Sequence, residues 1–279
     1  MSPAEPWTLR GIAAKAAMGE TWASMAVAGE GLGQGEWQRS TSCPGWDVKD
    51  HFSHLIGIER MLLGEATPMT DEPLGEHVKN EFAASLEPWV SVRRPTAGEV
   101  VRLEFIDVTA QRLAALDALE EADWAKVGFS PTGEVPYAQF MELRAFDSWV
   151  HEQDVRSALG RPGGQGGLAS RLAADHVQRA MGFVVGKKAA AADGSVVRFE
   201  ISGPPSDTRS FTLAVEAGRA HSVDGDVEPT VTLALSNLDF VQLGCGRTTA
   251  AQVDAAGGIG VVGDPALAQA VVGSMNFMV

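Results

Sequence analysis

Histidine is scarce in this chain of 279 residues: there are six, His51, His54, His77, His151, His176 and His221. Two of them sit where chemistry is possible. His54 lies inside DVKDHFSHLIGIERMLLGE, a run whose apolar residues recur at helical spacing. His151 follows Asp147 by four residues in YAQFMELRAFDSWVHEQDVRSALG, so a carboxylate and an imidazole stack on one helical face. In a bundle these helices project side chains into a shared core, and two imidazoles and a carboxylate then converge. Three protein donors leave one coordination position for water, thiol or substrate, as in a catalytic rather than a structural divalent-metal site. The same spacing more often belongs to a surface helical pair, and a single histidine in an apolar helix is more often a hydrogen-bonded core residue, so spacing alone favours these over a metal site. The two cysteines, Cys43 and Cys245, are too few and too far apart for a disulfide framework or a structural zinc site. Both read as reduced thiols, Cys245 as a small buried hydrophobe and Cys43 as the residue before a Pro-Gly-Trp turn.

The elements that must position these residues are legible in outline. A helix is expected from Trp7 to about Gly29, ended by a glycine-rich loop. The second helix starts at Asp47, an N-cap with Asp50 three residues on, and buries Phe52, Leu55, Ile56, Ile58 and Leu62. Residues 66–95 read as a long connection with one short helix over Val78–Leu86. A third helix carries Val101, Phe105, Val108, Leu113, Leu116 and Leu119 and ends before Trp124. The turn signals SPTGEVP precede a fourth, stopped by Gly160 and Pro162. Trp46, Trp89, Trp124 and Trp149 are expected to pack the resulting four-helix bundle.

The segment GRPGGQGG cannot support regular structure and divides the chain into domains 1–162 and 163–279. Beyond it, a helix over Leu168–Lys188 leads into VVRFEISG, RSFTLAVEAG, GRAHSVDG and PTVTLALS, the pattern of a meandering antiparallel sheet. Helices over Asn237–Cys245 and Pro265–Phe277 flank a short strand, GIGVVG. The fold class is therefore mainly α followed by α+β.

Charge separates the halves. Residues 1–160 hold 25 acids and 13 bases, against 11 and 9 in the remainder, within a formal net charge of −14. Such acidity excludes nucleic acid and disfavours anionic membranes as partners, because both need a clustered cationic surface. No apolar run reaches the length of a membrane span, and MSPAEPWTLRG lacks the grading of a secretory signal, so a cytoplasmic protein is expected.

The stretches SCPGWDVKDHFSHLIGIE and FDSWVHEQDVRSALGRPGG resemble the second- and fourth-helix signatures of the mycothiol-dependent maleylpyruvate isomerase family, a branch of the DinB-like metal-binding four-helix bundles. GVVGDPALAQAVVGSMNFMV resembles that family's closing strand and helix, so the resemblance spans essentially the whole chain. It implies that His54, Asp147 and His151 are metal ligands, that zinc is the metal, and that mycothiol is the thiol cosubstrate. Asp147 departs from the family's Glu by one methylene. His51 stands where the family has an apolar residue, and reads as a neighbour of the site. The resemblance also implies a C-terminal sterol-carrier-protein-like domain whose LGCGRTTAA segment places Arg247 as a catalytic clamp for a substrate carboxylate, an interdomain salt bridge being the equal alternative. Asp154 and Arg156, just past His151, fit a network supporting the ligands. His77, His176 and His221 carry no motif.

The resulting expectation is a metal-dependent isomerase or S-transferase that adds a thiol to a small anionic electrophile, acting as a monomer or homodimer. A metal- or ligand-binding protein without turnover and a metal-assisted hydrolase are the alternatives.

Overall fold

The computed structural model describes residues 6–203, 208–225 and 227–278, in two compact units that meet in sequence at Gly164 and Gln165. In the first, α1 (Trp7–Ala28), α3 (Val48–Leu62), α5 (Gly98–Asp117) and α7 (Tyr137–Leu159) form the bundle. Helix α1 packs on α7 and α5, and α3 packs on α5 and α7. The shorter α2 (Gln34–Trp37), α4 (Glu81–Ser91) and α6 (Glu121–Ala125) fill the connections. Met18, Trp22 and Met25 from α1 are buried with Phe52, Leu55 and Ile56 from α3, Phe105 from α5, and Met141 and Trp149 from α7. Each such side chain contributes about 1.5–3 kcal/mol on leaving water.

Local chemistry fixes the ends of the helices that carry the candidate residues. Asp47 Oδ1 accepts from Asp50 N at 3.0 Å, and Asp50 Oδ2 accepts from Asp47 N at 3.3 Å, the reciprocal cap expected from sequence. Gly160 ends α7 in the left-handed region at φ 65°, where a Cβ would strain the backbone. Gly57 lets α4 approach α3 closely, since a Cβ there would lie 2.4 Å from Trp89 Cβ.

Three expectations are corrected. The turn signals SPTGEVP before the fourth bundle helix belong to a two-stranded hairpin, β1 (Val127–Ser130) and β2 (Gly133–Pro136), whose four-residue strands are too short to show alternation. The short helix of the long connection runs Glu81–Ser91, capped by Asn80. In the second unit the sheet is mixed. Its order is β5-β4-β3-β6-β7, with β3 (Val196–Ser202), β4 (Arg209–Glu216), β5 (Arg219–Ser222), β6 (Val231–Ser236) and β7 (Ile259–Gly263). Strand β6 pairs parallel to β3, Val197 opposite Val231, while the other pairs are antiparallel. After the β3–β4–β5 meander the chain returns to the far side of β3, and strand spacing does not encode that return.

Helix α8 (Gly167–Phe183), extended by a π-turn over Val184–Lys188, packs with α9 (Asn237–Gly244), and α10 (Ala250–Ala255) precedes β7. Helix α11 (Pro265–Gly273) packs on β6 and ends four residues earlier than expected. Phe199, Phe211 and Phe240 form this unit's aromatic cluster.

Burial pushes the half-buried His176 on α8 down to about 4 from its ordinary 6.5, aided by Arg179. A depressed folded value means that the unfolded chain takes the proton first, so this stability is complete above about pH 6.5 and is lost as pH falls towards 4. His176→Gln is expected to gain up to ~3 kcal/mol on the wild type over that interval. Urea unfolding followed by circular dichroism at both pH values checks this, and a pH-independent difference would refute it.

Candidate metal centre

The reciprocal cap sets the phase of α3, which turns His51 and His54 inward, and α7 turns Asp147, His151 and Asp154 towards them. His54 and His151 are 7% and 6% exposed, and their rings meet edge to face with centroids 4.7 Å apart. His54 Nε2 is 3.6 Å from Asp147 Oδ2, and His151 Nε2 is 3.5 Å from Asp147 Oδ1. Both separations are longer than a good hydrogen bond, yet the donor atoms of all three residues lie within 4.8 Å of one another. Both ring nitrogens of His54 are buried without a hydrogen-bond partner. An orphaned buried polar atom costs about 1–3 kcal/mol, so its retention calls for a ligand.

The electrostatics suit a cation. Burial pushes His54 down to about 4 against the pull of Asp147, leaving a neutral imidazole with an available lone pair. Burial would raise Asp147, but Arg144 and His151 hold it well below the usual carboxylate range. His151 is held well above its ordinary value because Asp147 and Asp154 override the effect of burial. The site thus presents an ionised carboxylate and two imidazoles, one of which must surrender a proton to bind an ion.

Charged residues anchor the carboxylate from beneath. Arg144 Nη1 donates to Asp147 Oδ2 at 2.5 Å. Its Nε and Nη2 both donate to Glu59 Oε1, at 3.0 and 2.6 Å, and Arg112 Nε donates to Glu59 Oε2 at 3.0 Å. Glu59 is fully buried, and Arg112 also reaches the Tyr137 hydroxyl. Sequence reading missed this chain, whose one signal is charge at positions on the apolar faces of α3 and α5.

A second group of donors, Cys43, His51, His151 and Asp154, is buried on the opposite side of the His151 ring. Cys43 Sγ donates to Asp154 Oδ2 at 3.4 Å, and His51 Nδ1 lies 2.9 Å from His151 Nδ1. His51 and Asp154 are thus beside the site. Arg156 is not: it pairs with Glu152 and Ser24. Trp89, Trp124 and Trp149 are core residues, whereas Trp46 lies against His54, His151 and His51 at centroid distances of 4.9, 5.7 and 5.4 Å. It is a wall of the site and not packing alone.

Residues 18–156 match the family profile of the mycothiol maleylpyruvate isomerase N-terminal domain, and residues 182–276 match the SCP-2 sterol transfer family. The chain belongs to the mycothiol-dependent maleylpyruvate isomerase family. The crystal structure of the mycothiol-dependent maleylpyruvate isomerase is similar at a TM-score of 0.52 and 16% identity, over 92% of this chain and 93% of that one. A histidine-to-alanine variant of that enzyme gives a TM-score of 0.50 at the same identity and coverage. At that identity the likeness carries the fold and leaves the reaction to be argued from the site. No curated protein sequence matches the chain.

The remaining residues singled out from sequence lie elsewhere. Arg247 stands in the second unit just after α9, half-buried, with its Nη1 donating to Cys245 O at 3.3 Å. Cys245 is buried beside it in sequence. His77 Nε2 is 3.3 Å from Glu87 Oε2, and His221 is exposed on β5. Among the described residues, no helix is long and apolar enough to cross a membrane.

Proposed function

We propose that this member of the maleylpyruvate isomerase family binds a divalent metal at His54, Asp147 and His151 and uses it to activate a low-molecular-weight thiol. The observation that carries the reading is the buried, partnerless His54 ring facing an ionised carboxylate and a second imidazole. Two nitrogens and one oxygen with a position left open suit zinc. When bound there, such an ion lowers the pKa of a thiol so that the thiolate is present near neutral pH.

The chain's own groups do the rest. Neutral His54 offers its lone pair, Asp147 offsets the cation's charge, and Arg144 with Glu59 fixes the carboxylate's orientation. Trp46 covers the imidazoles and excludes water from that side. Mycothiol is the thiol carried by the crystallised isomerase's name, and maleylpyruvate is the model electrophile. Addition of the thiolate to a conjugated cis double bond, rotation, and elimination of the same thiolate give the trans product. Release of the protonated adduct instead makes the protein an S-transferase. Both outcomes share the first step.

Arg247 is the proposed clamp for the substrate carboxylate. Losing one charge-assisted bidentate contact of about 1.5–3 kcal/mol predicts that Arg247→Met lowers kcat/KM by about 10- to 100-fold while metal content is unchanged. Full activity with a lower Tm would assign Arg247 to a structural ion pair.

The reading is tested by incubating zinc-loaded protein with mycothiol and a panel of electrophiles that includes maleylpyruvate, following thiol consumption and trans product. A metal-dependent rate is expected. No rate above background would leave a binding protein, and product formed without thiol would indicate hydrolysis.

A further inference from the structure

A cavity of about 370 Å³ opens at the N-terminal end of α3, within the size range of small-molecule pockets. Asp47, Asp50 and Arg94 supply its charge, Ser40 contributes a hydroxyl, and Trp46 lines it with an aromatic ring. Trp46 is also the wall of the candidate metal centre, its ring centroid 4.9 Å from that of His54. The cavity and the centre therefore share one indole, whose Nε1 donates to Glu87 Oε2 at 3.4 Å.

The cavity is lined by a carboxylate with an unmet acceptor. Asp50 is only 3% exposed. Its Oδ2 accepts from Asp47 N in the cap of α3, whereas its Oδ1 is buried without a hydrogen-bond partner among the described residues. Arg94 Nε stands 3.7 Å from that oxygen, beyond hydrogen-bond reach. The same guanidinium donates instead through Nη2 to Glu87 Oε1 at 2.8 Å. A buried carboxylate oxygen left unmatched costs more than a neutral group, so its retention calls for a donor that binds there.

Charge narrows what that donor belongs to. A metal ion or ammonium at Asp50 Oδ1 would face the Arg94 guanidinium, and an anion at Arg94 would face the carboxylates of Asp50 and Asp47. A neutral hydroxyl meets neither objection, because it donates through its hydrogen and accepts through its lone pairs. Placed beside the 3.7 Å gap, one hydroxyl can donate to Asp50 Oδ1 and accept from Arg94 Nε. Asp47 and the Ser40 hydroxyl line the same cavity and can serve a second hydroxyl on the adjacent carbon.

We infer that this cavity is a subsite for a neutral ring bearing vicinal hydroxyls, bound by Asp50 and Arg94 and set against Trp46. Two sources carry that chemistry. One is a free polyol. The other is the body of the low-molecular-weight thiol, since the cysteine of mycothiol is attached to a glucosaminyl-inositol. The second source rests on the thiol reading above and deepens it: the polyol is then the part of the thiol held away from the ion, and the preference for one thiol over another is set here.

The first test is an NMR titration of the full chain, with and without zinc, using myo-inositol as the probe and cyclohexanol as the control. Saturable binding of myo-inositol and none of cyclohexanol is expected. Asp50→Asn, which keeps the shape and a cap acceptor, and Arg94→Met are each expected to weaken that binding about 10-fold or more. Circular dichroism establishes that the variants compared are folded. No binding of myo-inositol by the wild type, equal binding of cyclohexanol, or wild-type affinity in both folded variants overturns the inference. The second test compares mycothiol with N-acetylcysteine, a thiol without the polyol, in the zinc-loaded maleylpyruvate assay. If the ring is the thiol's body, both variants lower the ratio of kcat/KM for mycothiol to that for N-acetylcysteine by about 10-fold. A wild-type ratio in variants that have lost myo-inositol binding assigns the cavity to a free polyol and overturns its link to the thiol. If neither thiol reacts, the proposed function has failed, and the myo-inositol titration still decides the cavity.

Discussion

His54→Leu is expected to abolish metal binding while leaving the metal-free protein as stable as the wild type, or more stable. Structural zinc sites bind with roughly 10–16 kcal/mol shared over four ligands, so one ligand accounts for about 3 kcal/mol, a loss of a hundredfold or more. Zinc per chain after dialysis then falls from about one to background, and His151→Ala gives the same loss. The stability arm follows from a different observation. Both nitrogens of His54 are buried without partners, and replacing them with a side chain that needs none removes a penalty of about 1–3 kcal/mol. A residue kept for function against stability behaves in this way. A histidine that belonged to the core would show the reverse, with metal retained and Tm lowered.

The second large effect is expected at Glu59. Its carboxylate is fully buried between Arg112 and Arg144, themselves almost fully buried. Glu59→Gln keeps the volume and removes the charge, leaving two guanidinium groups with one neutral acceptor between them. Breaking a buried pair in this way costs about 3–5 kcal/mol, far more than a surface pair is worth. Urea unfolding measures the loss, and a change below about 1 kcal/mol would mean that solvent screens the network. Because Arg144 also donates to Asp147, zinc affinity is expected to fall alongside stability.

These two predictions mark what was legible in the sequence and what was not. His54, Asp147 and His151 could be singled out because helical periodicity fixes the Asp–His spacing and the inward face of each helix, but only the family resemblance implied that the three form a metal set. The cap of α3 was visible because Asp47 and Asp50 act over three residues. Glu59 was not, since its partners lie 53 and 85 residues away, on different helices. The same limit hid the place of Trp46 against the imidazoles, which it reaches from a loop whose path depends on the finished bundle. The parallel pairing of β6 with β3 was hidden for a related reason: alternation reports a strand's faces and says nothing of its neighbour's direction.

The central claim is tested most directly by X-ray absorption at the zinc edge, recorded on the loaded protein with and without mycothiol. Without the thiol, the account predicts nitrogen and oxygen scatterers only, two of them imidazole. With mycothiol, it predicts one sulfur at about 2.3 Å. Sulfur present before mycothiol is added, or none after, would contradict it.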